Sequence, residues 1–204
     1  MNTKSKMIDG AGREIFVNAI LTAGSKTDAN LKRFGPLFPS PCTSAGKYSA
    51  GPNEGWTASF WTGILWLLSE YSGDPGLYRT TLNEHLISFA ARAEQRVDCD
   101  HHDLGFLYSL SCVPAYKLRG DADATRSALL AADILMERYI ENAGIIQAWG
   151  KADDPDERGK MIIDSLMNLP LLYWAGDLTS RPEYRKNAYR HALNAVNNLV
   201  RPDG

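Results

Sequence analysis

Apolar residues follow two alternating patterns along this chain. Three segments are apolar on nearly every side, as expected of helices buried on most faces: 55–71, 104–118 and 161–175. Each is followed by a segment in which apolar residues recur every three or four positions and charged residues occupy the opposite face. These striped segments run from about 77 to 93, 124 to 139 and 184 to 199. The pattern predicts three buried helices, each followed by an amphipathic surface helix.

The spacing of helix-ending signals indicates a repeat. Gly-Asp pairs stand at 73, 120 and 176, at intervals of 47 and 56 residues. A glycine just after the last periodic residue is a typical helix end, and recurrence at this length is the mark of repeat architectures. Alternating buried and amphipathic helices predict an all-α fold with an inner and an outer ring, an α/α toroid. A stacked solenoid of helix pairs is the competing geometry, although its repeats are usually more uniform.

The N-terminal part follows a different pattern. Residues 8 to about 24 predict a first helix with one apolar face. Residues Gly24–Gly55 are rich in Pro, Gly, Ser and Lys, which predicts a long loop or arm. We assign residues 1–204 to a single domain.

Composition narrows the function classes. The 204 residues are 44% hydrophobic and 23% charged, with a formal net charge of −2, so no basic excess points to nucleic acid. No apolar run is long enough for a bilayer, and the N-terminus lacks a signal-peptide core. The three cysteines, Cys42, Cys99 and Cys112, are odd in number and lack metal-site spacing. They predict reduced thiols in a cytoplasmic protein. We predict no metal and no cofactor. A metal site around 99–103 is the alternative, but it lacks a second cluster.

Ionisable residues are concentrated just before the second buried helix. The stretch DCDHHDLGFLYSL, residues 98–110, places three aspartates and two histidines ahead of an apolar run. Asp103 falls at the expected N-cap, so it is either a helix cap or a functional carboxylate. In a toroid every inner helix begins at the same end. The polar and aromatic residues of segments 53–61, 98–103 and 149–164 are therefore expected to converge on one mouth.

A second aspartate, Asp164, lies in the apolar segment IIDSLMNLPLLYWA, four residues before Asn168. That spacing places both on one face of a helix. A carboxylate in apolar surroundings is costly unless it is paired or functional, and a hydrogen-bonded structural role is the alternative. Two carboxylates at one mouth suit acid–base chemistry on a sugar.

Aromatic and histidine side chains complete the predicted site. Exposed indoles near carboxylates favour a saccharide, and three tryptophans lie near the expected mouth: Trp56, Trp61 and Trp149. We assign Trp61 and Trp149 to the sugar-binding surface. Packing is the alternative for each of the three and weighs most for Trp56. His102 is the candidate hydrogen-bonding or proton-handling group beside Asp103. We predict that His101 is exposed or structural, and we assign structural roles to His85 and His191 on the outer helices.

Five motifs in order resemble the unsaturated glucuronyl hydrolases of glycoside hydrolase family 88. They are NEGWTASFWTGILWL, DHHDLGFLYSLSCVPAYKLRGD, IIQAWGK, IIDSLMNLPLLYWA and NLVRPDG, and the match runs from about residue 35 to the last residue. The resemblance implies an (α/α)6 barrel of about twelve helices, of which this chain would supply about seven.

The resemblance also implies a reaction. The substrates would be lyase-generated oligosaccharides with a 4,5-unsaturated uronic acid at the non-reducing end. Asp164 would be the general acid and base that hydrates the vinyl ether, and Asp103 would orient the ring hydroxyls and tune Asp164. The substrate-binding residues would be Trp61, His102, Trp149 and Asn168.

Three alternatives remain at this stage. They are the related unsaturated rhamnogalacturonyl hydrolases, a non-catalytic glycan-binding module and an inactive truncated remnant. A half-toroid would also expose apolar inner-helix surface, so we predict self-association through that open face.

Overall fold

The computed structural model describes residues 10–151 and 154–203, with side chains from residue 13 onward. The described chain divides into two compact units, 1–35 and 36–204. The first contains one helix, α1 (Gly10–Phe34). Residues 8 and 9 of the predicted first helix lie outside the described part. The assignment of 1–204 to a single domain stays a prediction.

The second unit is built from helices in alternation. Six α-helices follow one another along the chain: α2 (Ala58–Ser72), α3 (Arg79–Glu94), α4 (Leu104–Arg119), α5 (Ala122–Glu137), α6 (Leu169–Thr179) and α7 (Pro182–Leu199). Two short antiparallel pairs accompany them: β1 (Phe38–Ser44) with β2 (Lys47–Gly51), and β3 (Tyr139–Ile140) with β4 (Ile145–Ile146). Within the described residues, no helix combines the length and apolar character needed to cross a membrane.

These six helices form two layers. In the inner layer α4 packs against both α2 and α6, and in the outer layer α3 packs against α5. The core lies between the layers and is filled by large side chains such as Trp66, Tyr108 and Leu171, all nearly inaccessible to solvent. The indole N–H of Trp66 donates to the Ser111 carbonyl at 2.9 Å and ties α2 to α4. The predicted alternation of inner and outer helices is confirmed.

The predicted loop or arm at Gly24–Gly55 is wrong. The helix α1 continues to Phe34, because residues 25–34 contain neither Pro nor Gly and Gly24 alone does not stop a helix. The chain then forms the β1–β2 hairpin, whose two turn residues, Ala45 and Gly46, both have positive φ. The backbone twist of such two-residue turns matches the right-handed twist of the strands that they connect. The prolines of β1 are compatible with an edge strand.

The predicted third buried helix, 161–175, also needs correction. Residues Ile163–Asn168 form a 3₁₀ helix, and α6 begins only at Leu169 with Pro170 in its first turn, where proline is favoured. Helix α6 runs through the predicted stop at Gly176 and ends at Thr179, and the next residue, Ser180, has a φ of 59°. A methyl group at Gly176 would lie 3.0 Å from Arg185 Cγ, so this glycine allows α7 to approach.

The first two predicted stops are confirmed. Gly73 and Gly120 follow α2 and α4 with φ values of 69° and 64°. These left-handed conformations are easily adopted only by glycine.

One close contact joins α4 to the chain before α6. A Cβ atom at Gly105 would overlap the backbone of Asn168. Phe106 N–H donates to Asn168 Oδ1 at 3.0 Å, and Asn168 is 1% exposed. The start of α4 and the end of the 3₁₀ helix therefore lie so close that no side chain fits at position 105.

We expect Gly105→Ala to lower the free energy of unfolding by about 1–3 kcal/mol, because the added methyl group meets backbone that cannot yield. Gly63→Ala in α2 is the matched control. Its methyl group would lie 3.4 Å from Leu110 Cβ, an ordinary contact, and should leave stability unchanged or slightly higher. Urea denaturation followed by circular dichroism measures both. If the Gly105→Ala and Gly63→Ala variants were equally stable, the close approach of α4 to Asn168 would be contradicted.

Two histidines lie buried in the outer helices. His85 Nδ1 lies 3.0 Å from Thr62 Oγ1, and His191 Nδ1 accepts the Ile146 N–H at 2.8 Å. Both side chains are inaccessible to solvent. Burial lowers the pKa of each from 6.5 to about 4. The structural roles predicted for these two histidines agree with their burial.

The unfolded chain therefore binds more protons than the folded chain between about pH 4 and 6.5. We expect stability to fall as the pH is lowered through this window, by on the order of 1–2 kcal/mol for each histidine. Urea midpoints at pH 7.5 and 5 test this. His191→Asn, which keeps an acceptor for Ile146 but cannot take up a proton, should reduce the difference. If the difference between the urea midpoints at pH 7.5 and 5 were the same in His191→Asn, His191 would not contribute to the pH dependence.

Candidate active site

Segments that precede α2, α4 and α6 meet around a small hollow of about 210 Å³. This agrees with the expected convergence of the loops on one mouth. The hollow is smaller than typical sites for drug-sized ligands, so it suits a small group such as a single ring. Its wall is formed by Trp56, His101, His102, Asp103, Ala148, Trp149, Ile162 and Asp164.

Backbone pairing joins two of these segments. His101 and Trp149 form an antiparallel bridge, and the His102 N–H donates to the Ala148 carbonyl at 2.7 Å. Ala148 in turn donates its N–H to the Lys160 carbonyl at 2.8 Å. The segment before α4 is thus fixed against the segment that carries Trp149.

Asp103 occupies the N-cap position of α4 but does not cap the helix. It has helical backbone angles, and its side chain makes no capping hydrogen bond. Instead Oδ2 lies 3.2 Å from His101 Nδ1, and Oδ1 lies 3.1 Å from His102 Nε2. Burial alone would raise the pKa of Asp103, but the two histidines outweigh it and hold the pKa well below its usual range. The carboxyl group is therefore ionised at neutral pH.

His102 connects the two aspartates. Its side chain is buried, and Nδ1 lies 3.0 Å from Ser165 Oγ. Its Nε2 faces both Asp103 Oδ1 at 3.1 Å and Asp164 Oδ1 at 3.6 Å. Because carboxylates only accept hydrogen bonds, Nε2 must carry a proton. The Ser165 hydroxyl can donate to Nδ1 when the ring is neutral and accept from it when the ring is charged.

Asp164 differs from Asp103 in its surroundings. It lies on the 3₁₀ helix, and 44% of its side chain is exposed. Its Oδ1 is shielded from solvent yet has no hydrogen-bond partner among the described residues. Asp164 therefore lines the hollow with hydrogen-bonding capacity left over, whereas each carboxylate oxygen of Asp103 lies beside a histidine nitrogen.

The hollow brings together four of the six residues that the sequence predicted: His102, Asp103, Trp149 and Asp164. Trp61 and Asn168 are not part of its wall. Trp61 is 5% exposed, and the Asn168 side chain accepts the Phe106 N–H behind the site. Asp164 and Asn168 were expected on one face of an α-helix, but the 3₁₀ geometry separates them.

Three residues have roles at the site that the sequence did not assign to them. Trp56 is 53% exposed and forms part of the wall, whereas packing was the alternative given most weight for it. His101 contacts Asp103, whereas the sequence predicted an exposed or structural residue. Ser165 orients His102. For the indoles a signal was available: Ala58, Trp61 and Leu65 share one face of α2 at helical spacing, and all three are buried.

The same cluster has the donor types that bind metal ions. One ligand atom each from His102, Asp103 and Asp164 lie within 4.8 Å of one another. A small cation could take these three ligands. The same proximity allows a proton to move between the carboxylates and the imidazole.

Residues 32–203 match the family model described as Glycosyl Hydrolase Family 88. The chain is 49% identical over 177 residues to an unsaturated glucuronyl hydrolase of Bacillus sp. (strain GL1), covering 87% of this chain and 47% of the relative. It is 42% identical over 174 residues to an unsaturated chondroitin disaccharide hydrolase of Streptococcus agalactiae serotype III (strain NEM316), covering 85% of this chain and 43% of the relative. The chain thus spans about half the length of these curated relatives.

Solved structures of unsaturated glucuronyl hydrolases also resemble this chain in fold. The unsaturated glucuronyl hydrolase from Bacillus sp. GL1 aligns with a TM-score of 0.86 at 48% identity, over 91% of this chain and 49% of that one. An Asp-to-Asn mutant of the Streptococcus agalactiae unsaturated glucuronyl hydrolase, complexed with dGlcA-GalNAc6S, aligns with a TM-score of 0.79 at 35% identity, over 97% of this chain and 46% of that one.

The family match covers most of the chain and includes every residue that forms the wall of the hollow. It confirms the resemblance drawn from the five motifs, and the structural neighbours confirm the α/α toroid class, of which this chain forms about half. The chain belongs to glycosyl hydrolase family 88.

Proposed function

We propose that the site hydrates the double bond of a 4,5-unsaturated uronic acid at the non-reducing end of an oligosaccharide. Asp164 donates a proton to C4, and positive charge develops at C5 and the ring oxygen. Water then adds at C5 and returns a proton to Asp164. The resulting hemiketal opens, and the glycosidic bond is lost without direct displacement at the anomeric carbon.

The difference between the two aspartates carries this proposal. Asp103 is held ionised by His101 and His102, so it is a poor proton donor near neutral pH. Asp164 lines the hollow with 44% of its side chain exposed, while its buried Oδ1 lies 3.6 Å from His102 Nε2. Proton transfer therefore falls to Asp164, while Asp103 provides a fixed negative charge. That charge stabilises the positive charge that develops on the sugar ring.

Indole rings provide the remaining contact. Trp56 and Trp149 are 53% and 44% exposed and belong to the same wall. Their faces suit the C–H surfaces of a sugar ring. In this proposal Trp56 takes the role that the sequence gave to Trp61, and Asn168 acts by positioning the backbone of α4.

The names of the relatives indicate the substrate class. One relative is an unsaturated glucuronyl hydrolase and another an unsaturated chondroitin disaccharide hydrolase, so we propose disaccharides released by polysaccharide lyases. The three cysteines are unpaired in the structure, and on that basis we keep the cytoplasm as the proposed location. A panel of unsaturated disaccharides, including an unsaturated rhamnogalacturonide, separates the alternatives for the substrate.

We expect Asp164→Asn to reduce turnover at least about 100-fold, because the amide can neither donate nor accept the proton. Turnover is followed by loss of the ultraviolet absorbance of the double bond. Asp103→Asn should also reduce turnover, since the neutral amide gives no charge to the site. Asp177→Asn is the matched control, because Asp177 pairs with Arg185 at the surface. Full activity of Asp164→Asn would refute the proposal.

Turnover in water that contains methanol tests the type of reaction. Addition of methanol at C5 gives a ketal that has lost the double bond and keeps the second sugar, whereas displacement at the anomeric carbon by methanol gives a methyl glycoside that keeps the double bond. Mass spectrometry of the product distinguishes the two. A non-catalytic module would bind the disaccharide with no loss of absorbance in any variant.

We also propose that a second copy covers the open inner face. Four apolar side chains form a helical stripe on α2 and are 38–66% exposed: Phe60, Ile64, Leu67 and Tyr71. A contiguous apolar stripe of this kind is typical of an interaction surface.

Sedimentation velocity tests the second copy. The unmodified chain should sediment as a dimer or larger species, and Ile64→Lys with Leu67→Lys should shift it to a monomer, because the added charges cannot be buried without partners. The control is Ile87→Lys, which adds a charge at a residue of α3 that is 70% exposed. A monomeric unmodified chain would rule out this interface.

A further inference from the structure

Two buried arginines stand at the carboxyl ends of neighbouring outer helices. Arg92 lies in the last turn of α3 and is 3% exposed, and Arg138 is the C-cap residue of α5 and is 6% exposed. Fully buried arginines are rare unless their donors are satisfied. Neither takes part in the proposed reaction, so each needs another explanation.

Arg92 binds the segments before α2 and α4. Its Nη1 donates to Asn53 Oδ1 at 3.0 Å and to the Gly55 carbonyl at 2.9 Å. Its Nη2 donates to the Asp98 carbonyl at 2.9 Å and pairs with Asp98 Oδ2 at 3.1 Å. The Gly55 N–H also donates to Asp98 Oδ2 at 2.7 Å. Both backbone groups of Gly55 are therefore fixed, and the next residue is Trp56.

Arg138 binds the segment before the 3₁₀ helix in a similar way. Its Nε donates to the Gln147 carbonyl at 3.0 Å, and its Nη2 donates to the Gly150 carbonyl at 2.9 Å. The buried Gln147 side chain adds donations to the carbonyls of Trp149 and Gly150 at 2.9 and 3.1 Å. The residue that Arg138 fixes lies directly after Trp149.

We propose that Arg92 and Arg138 are positioning residues that set the two indoles of the hollow. Each reaches from an outer helix to the carbonyl next to one exposed tryptophan. Arginine suits this role because its planar guanidinium presents several donors in a fixed geometry, which the single ammonium of lysine cannot reproduce. Both cations also lie at helix carboxyl ends, where the helix dipole favours positive charge.

The inference rests on the proposed function only where it predicts a change in KM for the substrate. The variants Arg92→Lys and Arg138→Lys keep the charge and remove the geometry. The matched control is Arg126→Lys, because Arg126 pairs with Asp123 at the exposed surface. Hydrogen exchange followed by mass spectrometry reports the order of each loop without any substrate.

We expect Arg92→Lys to accelerate exchange in residues 53–57 and 98–102, and Arg138→Lys to do so in 147–151, with melting temperatures close to that of the control. KM for an unsaturated disaccharide should rise about tenfold while kcat changes less, since ground-state positioning of the sugar is lost. A double-mutant cycle with Trp149→Ala should show that the effects of Arg138→Lys and Trp149→Ala on KM do not add. The pair Arg92→Lys and Trp56→Ala should behave in the same way.

Three results would overturn the inference. They are unchanged exchange in these loops, faster exchange throughout the chain with a lower melting temperature, and additive effects on KM in both cycles. If the unmodified chain turns over no unsaturated disaccharide, the proposed function fails. The exchange data then decide alone whether the arginines fix the loops.

Discussion

The contact between Gly105 and Asn168 determines where the two carboxylates meet. Asp103 lies two residues before this glycine, and Asp164 lies four residues before this asparagine. Because no side chain separates the two backbones, the start of α4 and the 3₁₀ helix come close enough for His102 to face both aspartates. A larger residue at 105 would separate the groups on which the proposed chemistry depends.

The two carboxylates differ in their partners, and the difference comes from local geometry. Asp103 would be a good helix cap, since a side-chain oxygen at that position usually accepts from the first turn. Here it is turned away from the helix toward His101 and His102. The α4 terminus thus gives up a capping hydrogen bond, which is typically worth about 1 kcal/mol. The resulting ion pairs keep Asp103 anionic. In the proposed reaction two carboxylates of identical chemistry thereby take different roles.

The sequence predicted the α/α fold and the two aspartates because both depend on local patterns. Apolar residues on all faces predict an inner helix. A charged residue within such an apolar segment predicts a functional or paired group. The errors arose at the boundaries of elements. Gly24 stays in α1 because the residues that follow it favour a helix, and Gly176 stays in α6, where the packing of α7 against it favours a small residue. The 3₁₀ turn at Asp164 has no distinctive sequence signal. The exposed indole at the hollow is Trp56 rather than Trp61. Which of the two is exposed depends on where α2 begins, and periodicity predicts that boundary only to within a few residues.

Buried cations usually destabilise a fold relative to apolar residues of similar volume. Arg92 and Arg138 therefore need a reason beyond stability, and their positions supply one. They are 46 residues apart, close to the 47-residue interval between the first two helix ends. Each stands at the end of an outer helix, where the chain turns back toward the mouth. Arg92 has a carboxylate partner in Asp98, whereas among the described residues no carboxylate pairs with Arg138, which is held by carbonyl oxygens alone. Both arginines donate to a backbone carbonyl next to an indole, whereas within the described part of the chain only Arg92 has a neutralising carboxylate. This is the expected arrangement if selection acts on the position of the rings.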